Sequence, residues 1–275
     1  MRLNVRHLTQ YKYADPVMSA IQILRLTPRN HDGQFIKSWR VEIDADCRLA
    51  RDEDAYGNIT HTFSLEGPLQ EVNVLVEGVI ETADTGGAVA GAPERFPPGF
   101  WLRRSDLTQP SAEIEAMARG VNAGEGGDSL AALHALMAAI NADMPFVIGD
   151  TTPATTAGEA YAKRSGVCAD HAQVFAAAAR SLGIPARYVG GYYLRTDTTE
   201  QLAGHAWAEA YVPSIGWTGF DPANGVCVDE RYVRIAAGVD SLDASPVRGV
   251  RVGGGGETLT VSVNVAVAAQ VMGNQ

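Results

Sequence analysis

The stretch from Gly166 to Tyr193, GVCADHAQVFAAAARSLGIPARYVGGYY, constrains the fold more than any other part of the chain. Its alanine-rich run, with Val174, Phe175 and Leu182 as apolar anchors, predicts a helix that Gly183 and Pro185 close. The β-rich ARYVGGYYL beyond them predicts a strand. Cys168 therefore stands at a helix N-terminus. Backbone N–H groups there lack intrahelical acceptors, and the positive end of the macrodipole favours an anion by roughly 0.3–1 kcal/mol at an exposed site. A thiol attacks carbonyls as thiolate, yet free cysteine, with a pKa of about 8.5, is only a few per cent ionised at neutral pH. Such a position supplies part of the missing activation, and a basic partner must supply the rest.

Two later segments offer that partner. GHAWAEAYV carries His205 and GWTGFDPANG carries Asp221, separated from Cys168 and from each other by 205 − 168 = 37 and 221 − 205 = 16 residues. Alternation places His205, Trp207, Glu209 and Tyr211 on one strand face and Ala206, Ala208, Ala210 and Val212 on the other. A hairpin through VPSIG brings Asp221 beside His205, where a carboxylate fixes the imidazole tautomer and stabilises the imidazolium. Cys, His and Asp in this order suggest nucleophile, base and orienter.

The remainder divides by period. Residues 1–82 alternate in short β-rich runs such as LNVRHLTQYKY, SAIQILRLTP and EVNVLVEGVIET, broken at Asp15-Pro16, Pro28 to Gly33 and Tyr56-Gly57-Asn58. A sandwich of two small sheets is expected there. Residues 83–100 are rich in Gly, Pro and Ala and read as a linker. Helices are predicted over Ser111 to Ala118 and Ser129 to Ile140, and Gly149 to Ala162 reads as a polar approach to Cys168. A strand around 257–269 completes a core spanning 101–275. Helices followed by antiparallel strands define an α+β class.

Composition excludes several functions. The 275 residues carry 46% hydrophobic and 20% charged residues, ordinary for a globular protein. A net charge of −10 with scattered Lys and Arg argues against a nucleic-acid partner. No run suits a membrane span or a secretory signal, and Cys47, Cys168 and Cys227 form neither a disulfide framework nor a metal-ligand spacing. The expectation is a cytoplasmic protein with reduced thiols, no metal and no cofactor. Asp44, Asp46, Asp52 and Asp54 lack a calcium-loop pattern and read as a solvated face.

GVCADHAQVF, GIPARYVGGY, GHAWAEAYVP and GWTGFDPANG resemble, in order, the core of bacterial transglutaminase-like cysteine enzymes. RHLTQYKYADPV, QILRLTPR and DAYGN resemble the β-domain that precedes this core in many members. The resemblance implies a papain-like fold with Cys168, His205 and Asp221 as the triad. Two positions depart from the family pattern. Ala169 stands where Gln often follows the nucleophile, and Gln173 where His is common, while His171 appears instead. His171, on a neighbouring helix face, and Trp207 are candidates for the substrate-binding edge, although Trp207 reads more readily as core or pocket wall than as a substrate stacker. Eukaryotic relatives use an upstream indole as oxyanion donor, and Trp101 lies upstream here.

These readings give a cysteine-nucleophile acyl-transfer enzyme acting on an amide carbonyl of a protein or peptide through a thioester. Hydrolysis, as in a cysteine protease or amidase, is favoured over transglutaminase crosslinking. A non-enzymatic binding module on a degenerate scaffold is the alternative from another class.

Overall fold

The structure is a computed structural model and describes residues 1–122 and 129–268. Along the chain lie β1 (Arg2–Thr27), β2 (Gln34–Ile43), β3 (Ala50–Glu53), β4 (Ile59–Thr82) and β5 (Ala88–Val89), then the helices α1 (Ala112–Asn122), α2 (Ser129–Asp143), α3 (Ala157–Lys163) and α4 (Cys168–Ser181). The strands β6 (Ala186–Tyr193), β7 (Glu200–Gln201), β8 (His205–Val212), β9 (Gly216–Asp221), β10 (Val226–Cys227), β11 (Tyr232–Gly238), β12 (Val247–Gly253) and β13 (Glu257–Val267) follow. The class is α+β, as the order of patterns predicts.

The N-terminal β-unit is built from two long strands. β1 buries its odd positions from Leu3 to Tyr13 and Val17, then its even positions from Ala20 to Leu26. Its antiparallel pairing with β4 slips between Val17 and Ser19, and a one-residue slip exchanges the two faces. Tyr11 and Tyr13 before the slip then share one core with Ala20, Leu24 and Leu26 after it, together with Phe63, Leu65, Val72, Val74 and Val76 of β4. One sheet folded over on itself thus supplies both layers, where the sequence pattern suggested two small sheets. At the fold a Cβ on Gly67 would lie 1.9 Å from the Val17 carbonyl oxygen, so only glycine fits.

The second sheet runs β10-β9-β8-β6-β11, with β5 added beside β9. Its helical side is made close-packed by small residues. Ala208, Ala210 and Val212 of β8 share a core with Val174 to Ala179 of α4, and Phe175 stacks on Phe220 of β9 at 5.3 Å. Methyl groups facing methyl groups let the helix sit low on the sheet, which fixes its N-terminus relative to the strand ends.

Three expectations about organisation need correction. β13 pairs with β1 from Leu3↔Val267 to Tyr13↔Glu257 and β12 continues the pairing along Val17 to Leu24, so both belong to the N-terminal sheet and not to the core. Clean alternation identifies a strand but does not say which free edge it fills. The 83–100 segment is more than a linker: Ala88 and Val89 pair with Thr218 and Trp217, and Pro98–Leu102 forms a 3-10 turn. The approach to Cys168 contains α3, whose Thr156 and Glu159 make reciprocal cap hydrogen bonds. That T-x-x-E signal was legible in the sequence. The last position of the expected 257–269 strand lies outside the described residues.

The two halves share a continuous core. Leu3, Val5, Ile80, Val263 and Val265 of the first sheet pack with Ala172, Tyr188, Tyr192, Ala206, Val233 and Ile235, and Cys168 lies partly buried against this cluster. Side-chain amides stitch the edge of β11 to the N-terminal unit: Gln34 exchanges hydrogen bonds with the Arg234 backbone and Asn58 with that of Ala237. These satisfy edge groups that a bulge between Arg234 and Ala236 would otherwise leave open.

Candidate active site

Asp170, at the third position of α4, decides where that helix starts. Its Oδ2 accepts from the Val167 N–H at 2.8 Å and from Thr151 Oγ1 at 2.7 Å, closing the first turn behind Cys168. A Cβ on Gly166 would come within 2.6 Å of the same carboxylate, so glycine is needed before the nucleophile position. The N–H groups of Cys168 and Ala169 occupy the first two helical positions and have no intrahelical acceptor.

β8 begins at His205 and pairs with β9, which ends at Asp221. The predicted hairpin is present, and His205 Nε2 meets Asp221 Oδ2 at 2.6 Å. That leaves Nδ1 for the Cys168 side, and Cys168, as thiolate, is the leading charged neighbour of the ring. Burial would depress the imidazole, but the negative Cys168 and the Asp221 hydrogen bond outweigh it and push His205 up to about 10. The raised pKa favours imidazolium beside Cys168, with Asp221 holding Nε2.

Asp221 is saturated with donors. Besides His205, its Oδ2 accepts from Asn224 Nδ2 at 2.7 Å and Tyr232 Oη at 2.8 Å, while Oδ1 accepts the backbone N–H groups of Ala223 and Asn224. Burial would raise this carboxyl; the hydrogen bond and charge of His205, with the bonds from Tyr232 and Asn224, hold it below its usual range. Tyr232 comes from β11, two strands away from β8, and Asn224 from the turn after Asp221. Asn224 stands in the quoted DPANG motif, whereas no sequence signal marked Tyr232.

The three residues expected to form the triad are thus brought together, while the two expected at the substrate edge are not. Trp207 is only 1% exposed and lies in a cluster with Val189, Tyr232 and Ala237, its indole edge-on to the Tyr232 ring. It backs the His205 layer and presents no face to a substrate. His171, also 1% exposed, has Nδ1 2.8 Å from the Val167 carbonyl oxygen and Nε2 2.7 Å from that of Met144. Both partners only accept, so a neutral ring satisfies one and an imidazolium both. His171 ties the first turn of α4 to Met144, directly after α2, and cannot touch substrate. Helical periodicity placed it on a neighbouring face without revealing that the face is covered.

Trp101 is likewise displaced from the site. Its carbonyl accepts from Arg180 Nε, about 18 Å along α4 from Cys168 at 1.5 Å per residue, and its ring packs edge-on against Trp217. Among the described residues no group of three or more His, Cys, Asp or Glu side chains could hold a metal ion, Cys47, Cys168 and Cys227 are free thiols, and no helix is long and apolar enough to cross a membrane.

Known proteins resemble the chain in sequence and in fold. Residues 115–222 match the profile of the Transglutaminase-like superfamily and residues 3–81 that of the Bacterial transglutaminase-like N-terminal region. An uncharacterized protein of Mycobacterium leprae is 29% identical over 275 residues, covering 96% of this chain and 98% of that protein. One of Mycobacterium tuberculosis is 29% identical over 277 residues, covering 90% and 87%. A solved structure from Cytophaga hutchinsonii, named "Putative Cysteine Protease", superposes with a TM-score of 0.79 at 20% identity over 99% of this chain and 92% of that one, a likeness of fold. Residues 115–222 thus belong to a transglutaminase-like, papain-like core that stands behind a bacterial transglutaminase-like N-terminal region at residues 3–81.

Proposed function

We propose that this protein is a cysteine-nucleophile acyl-transfer enzyme that cleaves amide bonds of a protein or peptide, acting as a protease or amidase. The observation that carries the reading is the His205–Asp221 pair at 2.6 Å, with the free edge of the imidazole turned to Cys168 at the start of α4. In this reading the Cys168 thiolate adds to the amide carbonyl carbon. The π electron pair moves onto oxygen, which the unpaired N–H of Cys168 is placed to receive. His205, as imidazolium, protonates the departing amine through Nδ1 as the C–N bond breaks, leaving a thioester on Sγ. Water then adds to the thioester while His205 takes its proton, and the thiolate leaves as the acid is released. Asp221 keeps the ring oriented throughout and stays ionised.

A primary amine in place of water would give a transglutaminase crosslink by the same steps. The protein is incubated with a glutamine-bearing peptide, with and without a labelled primary amine, and the products are weighed by mass spectrometry. The expected product is free acid even at high amine concentration; efficient amine incorporation would instead assign crosslinking. For the thiol itself, iodoacetamide labelling of Cys168 should persist below pH 6 and vanish in Cys168→Ala. Labelling that rises only near the range of free cysteine would turn the reading toward a non-catalytic scaffold.

A further inference from the structure

The N–H of Cys168 is one donor for a developing oxyanion, and the indole that resemblance offers as a second, Trp101, sits at the far end of α4. A side chain on the helix-facing side of β6 takes up the question. Ala186, Tyr188 and Tyr192 point to the helical side of the sheet, and Tyr188 is paired with Ala208 on one flank and Gly238 on the other. A tall side chain among methyl groups and hydrogens has little lateral support from its own sheet, so it reaches across toward α4. Tyr188 indeed packs in the cluster that holds Ala172 and touches Cys168 and Ala169.

Its hydroxyl differs from those of its neighbours. Tyr192 Oη is bound by His7 Nδ1 at 2.8 Å and Tyr232 Oη donates to Asp221. The Tyr188 ring is buried, with only 6% of the residue exposed. Among the described residues no protein group hydrogen-bonds its hydroxyl, yet this oxygen is not one of the sealed, unsatisfied atoms. The charged groups that act on it most are Cys168, then Asp170 and Asp240. Asp170 is occupied by Val167 and Thr151, and Asp240 by the backbone N–H groups of Leu242 and Asp243. Of the three, Cys168 is the one whose chemistry requires a further donor.

We propose that the Tyr188 hydroxyl is the side-chain hydrogen-bond donor to the carbonyl oxygen of the group being transferred to Cys168. This rests on the acyl-transfer reading above. As the thiolate adds to the carbonyl carbon and the π pair moves to oxygen, Tyr188 donates a hydrogen bond to that oxygen and keeps its proton. When the tetrahedral adduct collapses the C=O bond re-forms, the amine leaves with the proton from His205, and Tyr188 is unchanged. Burial, and then the charge of Cys168, hold the Tyr188 phenol well above its ordinary value, so it remains a donor over the working pH range.

The test separates two reactions of the same sulfur. Acetylation of Cys168 by p-nitrophenyl acetate passes through a tetrahedral oxyanion, whereas alkylation by iodoacetamide does not. In Tyr188→Phe, acetylation followed by intact mass should slow by about tenfold to a hundredfold, within reach of single-donor removals. Iodoacetamide labelling at the same pH should be unchanged, which also shows that the variant is folded. A fall of equal size in both rates would place the hydroxyl on the thiolate or in the structure, and no fall in acetylation would remove it from the site; either overturns the proposal. If wild-type Cys168 itself shows no labelling below pH 6, the acyl-transfer reading fails and this proposal with it, whatever Tyr188→Phe does.

Discussion

Two buried ionic clusters lie along one face of β8, four residues apart. At its start, His205 is 12% exposed on its side chain and holds Asp221; further along, Glu209 is fully buried between Arg187 Nε at 2.6 Å and Arg234 Nε at 2.7 Å. Arg187 also grips Glu94 with both terminal nitrogens and lies over the Trp217 ring at 4.0 Å. Burial would raise the Glu209 carboxyl, but Arg234 and Arg187 more than offset this and bring it down to about 2. The difference is one of saturation. Every oxygen of Glu209 is met by a guanidinium and the cluster is closed, whereas the first cluster is saturated at Asp221 and left open at the His205 edge toward Cys168. A closed cluster fixes structure; one with an open, oriented edge has chemistry left to do.

The largest effects should come from the open cluster. His205→Ala is expected to lower amide turnover by about 10⁴-fold or more, and Asp221→Asn by less, about 10²–10⁴-fold, measured as kcat/KM at pH 7. Equal activity in Asp221→Asn and wild type would show that the orienter is another group. In the closed cluster, Glu209→Gln should instead destabilise the fold by about 3–5 kcal/mol, because it removes the buried charge that holds Arg234 and the Nε of Arg187. A denaturant midpoint reads this, and iodoacetamide labelling of the folded fraction should be unchanged. If Glu209→Gln left the midpoint alone but altered labelling, the division between the two clusters would collapse.

The clusters should also part company with pH. Burial lowers His7 and His31 to about 4, so their neutral forms contribute stability above the ordinary value of 6.5 that is lost as pH falls toward 4. Glu209 contributes stability above 4.5 that is lost as pH falls toward 2. His205 has the opposite sign: raised to about 10, its contribution is full below 6.5 and disappears as pH climbs through 10. Tm followed across pH should therefore fall on the alkaline side less steeply in His205→Ala than in wild type. The smallest effect is expected from Tyr232→Phe, which removes one of three donors on Asp221 Oδ2. A loss of about 1–1.5 kcal/mol, roughly tenfold in kcat with KM held, would identify Tyr232 as a positioning residue; an unchanged kcat would make its bond structural only.

Local patterns carried the reading where the chemistry is local. The glycine and proline that end α4, the alternation of β8 and the turn before β9 were all visible as residues, and they place Cys168, His205 and Asp221 on elements that meet. What failed depended on which surfaces become covered. His171 and Trp207 were legible as to face but not as to burial, because the groups that enclose them, Met144 for one and the Tyr232 strand for the other, are distant in sequence. β13 was legible as a strand but not as a partner of β1. The slip at Val17–Ser19, which turns one sheet into two layers, shows in the sequence only as a change of parity beside Pro16.

Sequence by itself determined the order of elements, the helix start that suits a thiolate and the identity of the groups that could serve it, since caps, turns and alternation act over a few residues. Tertiary structure alone decided which of those groups face one another and which are sealed. It put Tyr232 on Asp221, closed Glu209 between two arginines, moved Trp101 to the far end of α4 and packed Tyr188 into the cluster that Cys168 lies against. The reason is that desolvation and hydrogen bonding in a core depend on contacts between residues far apart in the chain, and periodicity carries no record of those.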